Sequence, residues 1–319
     1  MRRVCHFSVR LIFLIVLGRA VQSAAAQLYV SDFADGTIRQ VTANGVVSTF
    51  VSGLADPVGL AFDHQGDLFV TDEDVVHGPG GSITITPQVV KITPAGTISL
   101  FAQRGGEGLA FDDAGNLYVA DNLQGIIYRI TPDGAFHVFA QESPLSAPYG
   151  LVFDRAGNLY VANEGTDTIS KISPAGTLST FVDNARGLLN PRGLVFDTQG
   201  NLLVANYFGG ISEVAPDGSV RTFTSAVRFP GGLALDASGA LFVTSQIQDL
   251  VYRVTPTGSV DVFARGFDQP VNLAFAPTAV PEPGSLDLLI SLLVPGAAFL
   301  YRCRKRAIRS KGGPVLHGV

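Results

Sequence analysis

Apolar residues recur in short alternating runs through residues 27–279, and turns containing Gly, Asp or Pro break each run. Period-two alternation over about five residues reads as half-buried β-strand rather than helix. One phrase repeats. It stands at Gly59-Leu60-Ala61-Phe62-Asp63 with Leu68-Phe69-Val70, and it returns from Gly108, Gly150, Gly193 and Gly232. Leu28, Leu68, Leu117, Leu159, Leu202 and Leu241 open the second strand of each unit. Their spacings of 40, 49, 42, 43 and 39 residues fit four short strands per unit. Such a period marks a propeller or solenoid, and six units predict an all-β, six-bladed β-propeller of four-stranded blades.

The third unit shows how a blade is written. Strand a runs from Gly108 to Phe111, strand b from Leu117 to Ala120, strand c from Ile126 to Ile130 and strand d from Ala135 to Phe139. The c–d turn, Pro132-Asp133-Gly134 here, recurs around Gly45, Gly96, Gly176, Gly218 and Gly258, where Gly supplies the positive φ of a tight hairpin. The uniform turn Asp and Asn residues read as caps rather than ligands. Residue 27 leads directly into a strand b, Leu28-Tyr29-Val30, and the missing strand a is found at Asn272-Leu273-Ala274-Phe275. Blade one is therefore expected to be closed by strands from both ends of the domain, leaving no open edge.

The two ends read as addresses. Arg2, Arg3 and Arg10 precede the apolar run Leu11–Leu17, and Ser23-Ala24-Ala25-Ala26 follows, the pattern of a secretory signal peptide cut after Ala26, with Ala24 and Ala26 as its small residues. Residues 280–319 hold Pro281-Glu282-Pro283, an apolar stretch to Tyr301, and the basic cluster Arg302, Arg304, Lys305 and Arg306. This segment resembles the PEP-CTERM sorting signal, in which a transmembrane stretch stalls in the bilayer and the basic tail stays cytoplasmic. The resemblance implies an exosortase-type processing partner and transient membrane attachment. It also implies export across the inner membrane of a Gram-negative bacterium, to the cell surface or extracellular matrix.

Composition sharpens this division. The net charge of −5 conceals end segments of +8 around a central region of −13, with 12 Lys/Arg against 25 Asp/Glu in residues 27–279. An acidic domain repels phosphate backbones, so nucleic acid is excluded as a partner. Cys5 and Cys303 both lie in the end segments, so the central domain has no disulfide, thiol nucleophile or cysteine metal site.

The repeat from residue 27 to 276 resembles the NHL family and its gluconolactonase-like and streptogramin-lyase-like relatives. Propellers of this kind include binders, hydrolases and lyases, so the resemblance implies fold more than function.

In a four-stranded blade the b–c loops and the connections from d to the next a share one face. Here they vary in length and type, which marks the binding face. The longest departure runs from Glu73 to Gln88 and is either a lid over the channel or a surface insertion. Two rings are expected to face the channel on this side. One precedes strand a: Val58, Glu107, Tyr149, Arg192, Gly231 and Val271. The other ends strand b: Asp32, Asp72, Asp121, Asn163, Asn206 and Ser245. Tyr149, Arg192, Glu107, Asp32 and Asp72 are the candidate ligand contacts for a glycan, peptide or small molecule.

The alternative is a divalent-cation-dependent hydrolase or lyase. Glu107, Asp121, Asn163 and Asn206 would then hold Ca2+ or a similar ion through oxygen ligands, and the ion would polarise a carbonyl and activate water. Glu107-Gly108 looks like the Glu-Gly at the metal site of gluconolactonase-type propellers, whereas Asn272 stands where the repeat has Gly. A purely structural matrix role is the third reading. His64, His77 and His137 fall in elements that do not converge, which argues against a zinc site or a Ser-His-Asp triad. Gly105-Gly106 lacks the Lys-Ser/Thr of a phosphate-binding loop.

Overall fold

The computed structural model describes residues 27–77 and 83–277. These form six four-stranded antiparallel sheets, each a blade with its strands in order from the axis outward. The innermost strands are β4 (Leu60–Phe62), β8 (Leu109–Phe111), β12 (Pro148–Phe153), β16 (Pro191–Phe196), β20 (Pro230–Leu235) and β24 (Pro270–Phe275). The propeller belongs to the first of two compact units, which ends at Thr278. Among the described residues no helix is long and apolar enough to cross a membrane. The leader with Ala24 and Ala26, the motif Pro281-Glu282-Pro283 and the apolar stretch after it lie outside the described residues.

The ring closes as the sequence predicts. Strand β24 pairs antiparallel with β1 (Leu28–Asp32), so that blade one reads β24-β1-β2-β3, with β2 spanning Thr37–Val41 and β3 Val47–Ser52. Leu28 faces Phe275 and Val30 faces Leu273 across this junction. Val271 and Leu273 are buried, and Phe275 packs into the cluster that joins blades six and one.

There is no single central core. Six apolar clusters lie one at each seam between neighbouring blades. Their common element is an aromatic on strand b, held edge-to-face by two others. Tyr118 lies 4.9 Å from Phe139 of its own blade and 5.0 Å from Phe153 of the next, and Tyr29, Phe69, Tyr160 and Phe242 repeat the arrangement. Blade five places Leu203 there instead.

The turn chemistry follows the sequence. The c–d glycines all adopt left-handed φ, from 77° at Gly45 to 86° at Gly134 and Gly258. In the a–b turns Oδ1 of Asp112, Asp154, Asp197 and Asp236 accepts two backbone N–H groups, two and four residues on. The expected loop from Glu73 to Gln88 differs. Strands β5 (Leu68–His77) and β6 (Ile83–Ile92) keep their ladder from Asp72 opposite Gln88 to His77 opposite Ile83, making a β-ribbon longer than any other b–c hairpin. Gly105 lets the neighbouring connection pass this ribbon, since a Cβ there would collide with the backbone of Pro87 and Gln88.

The strand-b ends are pins rather than channel residues. Asp32, Asp72, Asp121, Asn163, Asn206 and Ser245 are all buried. Asp72 Oδ1 accepts from the backbone N–H of Ala55 and Asp56, Asn163 Oδ1 from Ser146, Asn206 Oδ1 from Leu189 and Asp32 Oδ1 from Asp268. Ser245 Oγ donates to the carbonyl of Arg228, and Asp121 caps its own turn at Gln124. Each of these bonds except that of Asp121 ties strand b to the connection entering its blade. Buried polar backbone left without such a partner would destabilise the fold.

Two predictions follow from closure and pinning. A chain ending at residue 269 loses the buried Val271 and Leu273 and exposes β1, so its melting temperature falls by on the order of 10 °C; an unchanged melt overturns the closure argument. Burial raises the Asp72 carboxyl pKa against the lowering pull of its backbone donors. The folded state therefore holds that proton more tightly than the unfolded chain. The stability Asp72 contributes is full below the ordinary carboxylate pKa and is lost as pH rises through the folded value. Asp72→Asn keeps the acceptor oxygen, as Asn163 and Asn206 do natively, and removes the buried charge. The variant should melt above the parent at neutral pH, with the gap closing on acidification; a gap that is absent or grows on acidification contradicts this.

Candidate functional site

The innermost strands meet at glycines. A Cβ on Gly150 would fall inside contact distance of the Arg192 carbonyl oxygen, and Gly59, Gly108 and Gly193 approach their neighbours in the same way. At the sixth position Asn272 fills the axis side, with its Oδ1 bonded to the N–H of Leu273 and resting against Gly232. The space left along the axis is about 90 Å³. The inner strands thus leave little room along the axis itself.

A bulge at the start of each innermost strand aims side chains at that mouth. Pro148 pairs with Asn163 and Leu151 with Val161, leaving Tyr149 and Gly150 opposite Ala162 alone. The same shift stands at Arg192-Gly193 in β16. In blade three the N–H of Glu107 donates to the Ala120 carbonyl, and the Ala120 N–H donates to the Gly108 carbonyl. An extra residue on one strand re-aims its side chain without ending the ladder. Hence Glu107, Tyr149 and Arg192 share one geometry in three successive blades.

These three side chains lie together. Tyr149 hydrogen-bonds Glu107, whose Oε1 also accepts from Asn122 Nδ2 at 2.8 Å. The Arg192 guanidinium lies 5.0 Å from the Tyr149 ring centroid and 3.8 Å from that of Tyr207. It donates to Glu164 Oε1 at 2.8 Å and to Gln246 Oε1 at 3.4 Å. The cluster spans blades three to six. Its second half was not expected from sequence: Asn122, Glu164, Tyr207 and Gln246 each stand one residue beyond a strand-b end.

Electrostatics fix the protonation states. Desolvation pushes the Tyr149 phenol well above the usual range, Glu107 and Glu164 push the same way, and Arg192 opposes them. Desolvation works against the Arg192 cation, but Tyr149, Glu164 and Tyr207 outweigh it and hold its pKa above the usual value. The Arg192 side chain is 17 % exposed, and its Nε is buried without a hydrogen-bond partner. The phenol stays protonated and the guanidinium charged, so neither is a base at neutral pH.

Of the remaining contact candidates, Asp32 pairs with Arg39, and Asp72 accepts from the backbone N–H of Ala55 and Asp56. The four residues named for a cation do not form a ligand set. Asn163 Nδ2 donates to Thr168 and Ser170, Asn206 Nδ2 donates to Ser212, and Asp121 holds the backbone and side chain of Gln124. Glu107 is the one of the four that bonds to Tyr149. Among the described residues no group of three or more His, Cys, Asp or Glu is placed to hold a metal ion. The donor set does not fit calcium.

No protein-family model and no curated protein matches the chain. Solved structures do. A chain of the nidogen/laminin complex superposes with TM-score 0.68 at 18% identity, covering 80% of this chain and 100% of its own. Streptogramin B lyase superposes at 0.58 with 14% identity, covering 80% and 91%. A catalytically inactive histidine-to-alanine variant of virginiamycin B lyase from Staphylococcus aureus, with quinupristin, superposes at 0.57 with 14% identity, covering 80% and 94%. Likeness at this identity extends to the fold: this chain is a six-bladed β-propeller.

Proposed function

We propose that this propeller is an exported, surface- or matrix-directed binding module that recognises its ligand at the channel mouth through Glu107, Tyr149, Arg192 and Tyr207. One observation carries the reading: Arg192 is held between two tyrosine rings and clamped by Glu164 and Gln246 before any ligand arrives. A site rigid in advance loses little side-chain entropy on binding. The nidogen/laminin neighbour supports the reading, since that propeller-like chain comes from a protein–protein complex. The lyase neighbours show that a propeller of this shape can also support turnover, and the binding reading rests on the geometry around Arg192. The signal-peptide pattern and the Pro-Glu-Pro segment support the exported address.

Glycan and peptide arrays probed with the parent and with Arg192→Gln test the reading. A probe bound by the parent should lose about tenfold or more in affinity in the variant at a temperature where both proteins remain folded, because the stacked guanidinium is gone; the variant should also melt lower, since Glu164 loses its partner. No probe above background, or equal binding by both proteins, sinks it. Chelator treatment should shift the melting temperature by less than about 1 °C, whereas a structural ion at the mouth would give a drop of several degrees.

A further inference from the structure

The mouth does not exhaust this face. Beside it, between the b–c loop of blade five and the connection into blade six, lies a groove of about 500 Å³. Tyr207, Phe208 and Phe229 wall it, Val227 is buried beneath, and Ser225 and Arg228 stand exposed at its rim. Tyr207 is shared: its ring stacks under Arg192 and lies 5.0 Å from Phe208 and 5.5 Å from Phe229.

Three observations mark this groove as built for a ligand. Phe208 is 67% exposed, a large aromatic with little else to cover it. Arg228 forms no ion pair and no side-chain hydrogen bond among the described residues, although residues 27–279 carry a net −13 and acids are plentiful. Phe229 is strained. It holds φ 51° immediately before a proline, the place occupied by Ala147, Asn190 and Gln269 in other blades. Left-handed φ disfavours a bulky aromatic, and Asn tolerates it best. The repeat sets this angle, as Ala147 and Gln269 show, so what is particular to blade six is a bulky phenyl ring on a backbone angle that suits it poorly.

We propose that this groove is a second binding site, for a ring-shaped ligand bearing a carboxylate. The ring stacks on the faces of Phe208 and Phe229, and the carboxylate takes the guanidinium of Arg228 as its bidentate partner. The assignment stands whether or not the channel mouth binds anything, because Tyr207 is the sole residue common to both. Saccharide and aromatic acids share this chemistry, and the test separates them.

Calorimetric titration of the purified protein with D-glucuronate and with phenylacetate, against D-glucose and acetate as controls, reads the site. At least one ring carboxylate should bind with a Kd of about 1 mM or tighter, and both controls should fail at about tenfold higher concentration. Whichever acid binds names the source. Arg228→Gln should weaken binding about tenfold or more without moving the melting temperature. Phe229→Asn should weaken binding and raise the melting temperature together, a pairing that a purely structural phenylalanine would not give. Binding by neither acid, binding indifferent to Arg228→Gln, or a Phe229→Asn variant that still binds overturns the proposal. So does a Phe229→Asn variant that melts lower.

Discussion

The edge-to-face aromatic contact across five of the six seams is the interaction on which this molecule rests. A blade of four short strands cannot bury both of its faces alone. The strand-b aromatic solves this by filling the gap between its own outer strand and the inner strand of the next blade. Such pairs add about 0.5–1.5 kcal/mol each beyond the area they bury. Because the gaps run around a circle, every contact depends on the last being made. The junction of β24 with β1 therefore fixes the spacing at all six seams, and with it the distance between side chains from different blades at the axis.

The mouth inherits that precision. Glu107, Tyr149 and Arg192 come from three blades and occupy one structural position, so their mutual reach is set by blade geometry rather than by loop conformation. The bulge at each inner strand turns a repeated backbone feature into a converging set of side chains. The same residues are then clamped by neighbours one step beyond the strand-b ends. The result is a rigid polar surface over a narrow channel. At neutral pH Tyr149 keeps its proton and Arg192 its charge, so the hydrogen bonds that set this surface persist across the ordinary range.

Much of this was legible in the chain. The spacing of the strand-b leucines gives six blades, and the displaced strand around Leu273 gives the closure, because both depend on local patterns of period two. Tyr149 and Arg192 were also visible as departures from a uniform position. What the pattern left open was direction. Asp32, Asp72, Asn163 and Asn206 stand at one repeat position that reads either as a ring of ligands or as capping of strand ends, and their bonds to backbone amides follow the capping reading. The variable position just after them, Asn122, Glu164, Tyr207 and Gln246, carried the signal instead. The ribbon from Leu68 to Ile92 was hidden by the missing repeat phrase, although the alternation Ile83-Thr84-Ile85-Thr86 announces a strand. The strain at Phe229 needs a backbone angle and has no sequence signature.

The residue facing each bulge on strand b differs around the ring. Ser31, Thr71 and Thr244 donate their hydroxyls across the seam to the carbonyls of Val58, Glu107 and Val271, and so sew together blades six, one, two and three. Ala120, Ala162 and Ala205 stand in the same place in blades three, four and five and have no hydroxyl to give. Three seams are thus tied by strand-b hydroxyls, and the other three by side chains of the mouth, Tyr149 to Glu107 and Arg192 to Glu164 and Gln246. Along the arc from blade three to blade six, the groups gathered at the axis are therefore also the ties between blades, so a substitution among them acts on the ring as well as on the mouth.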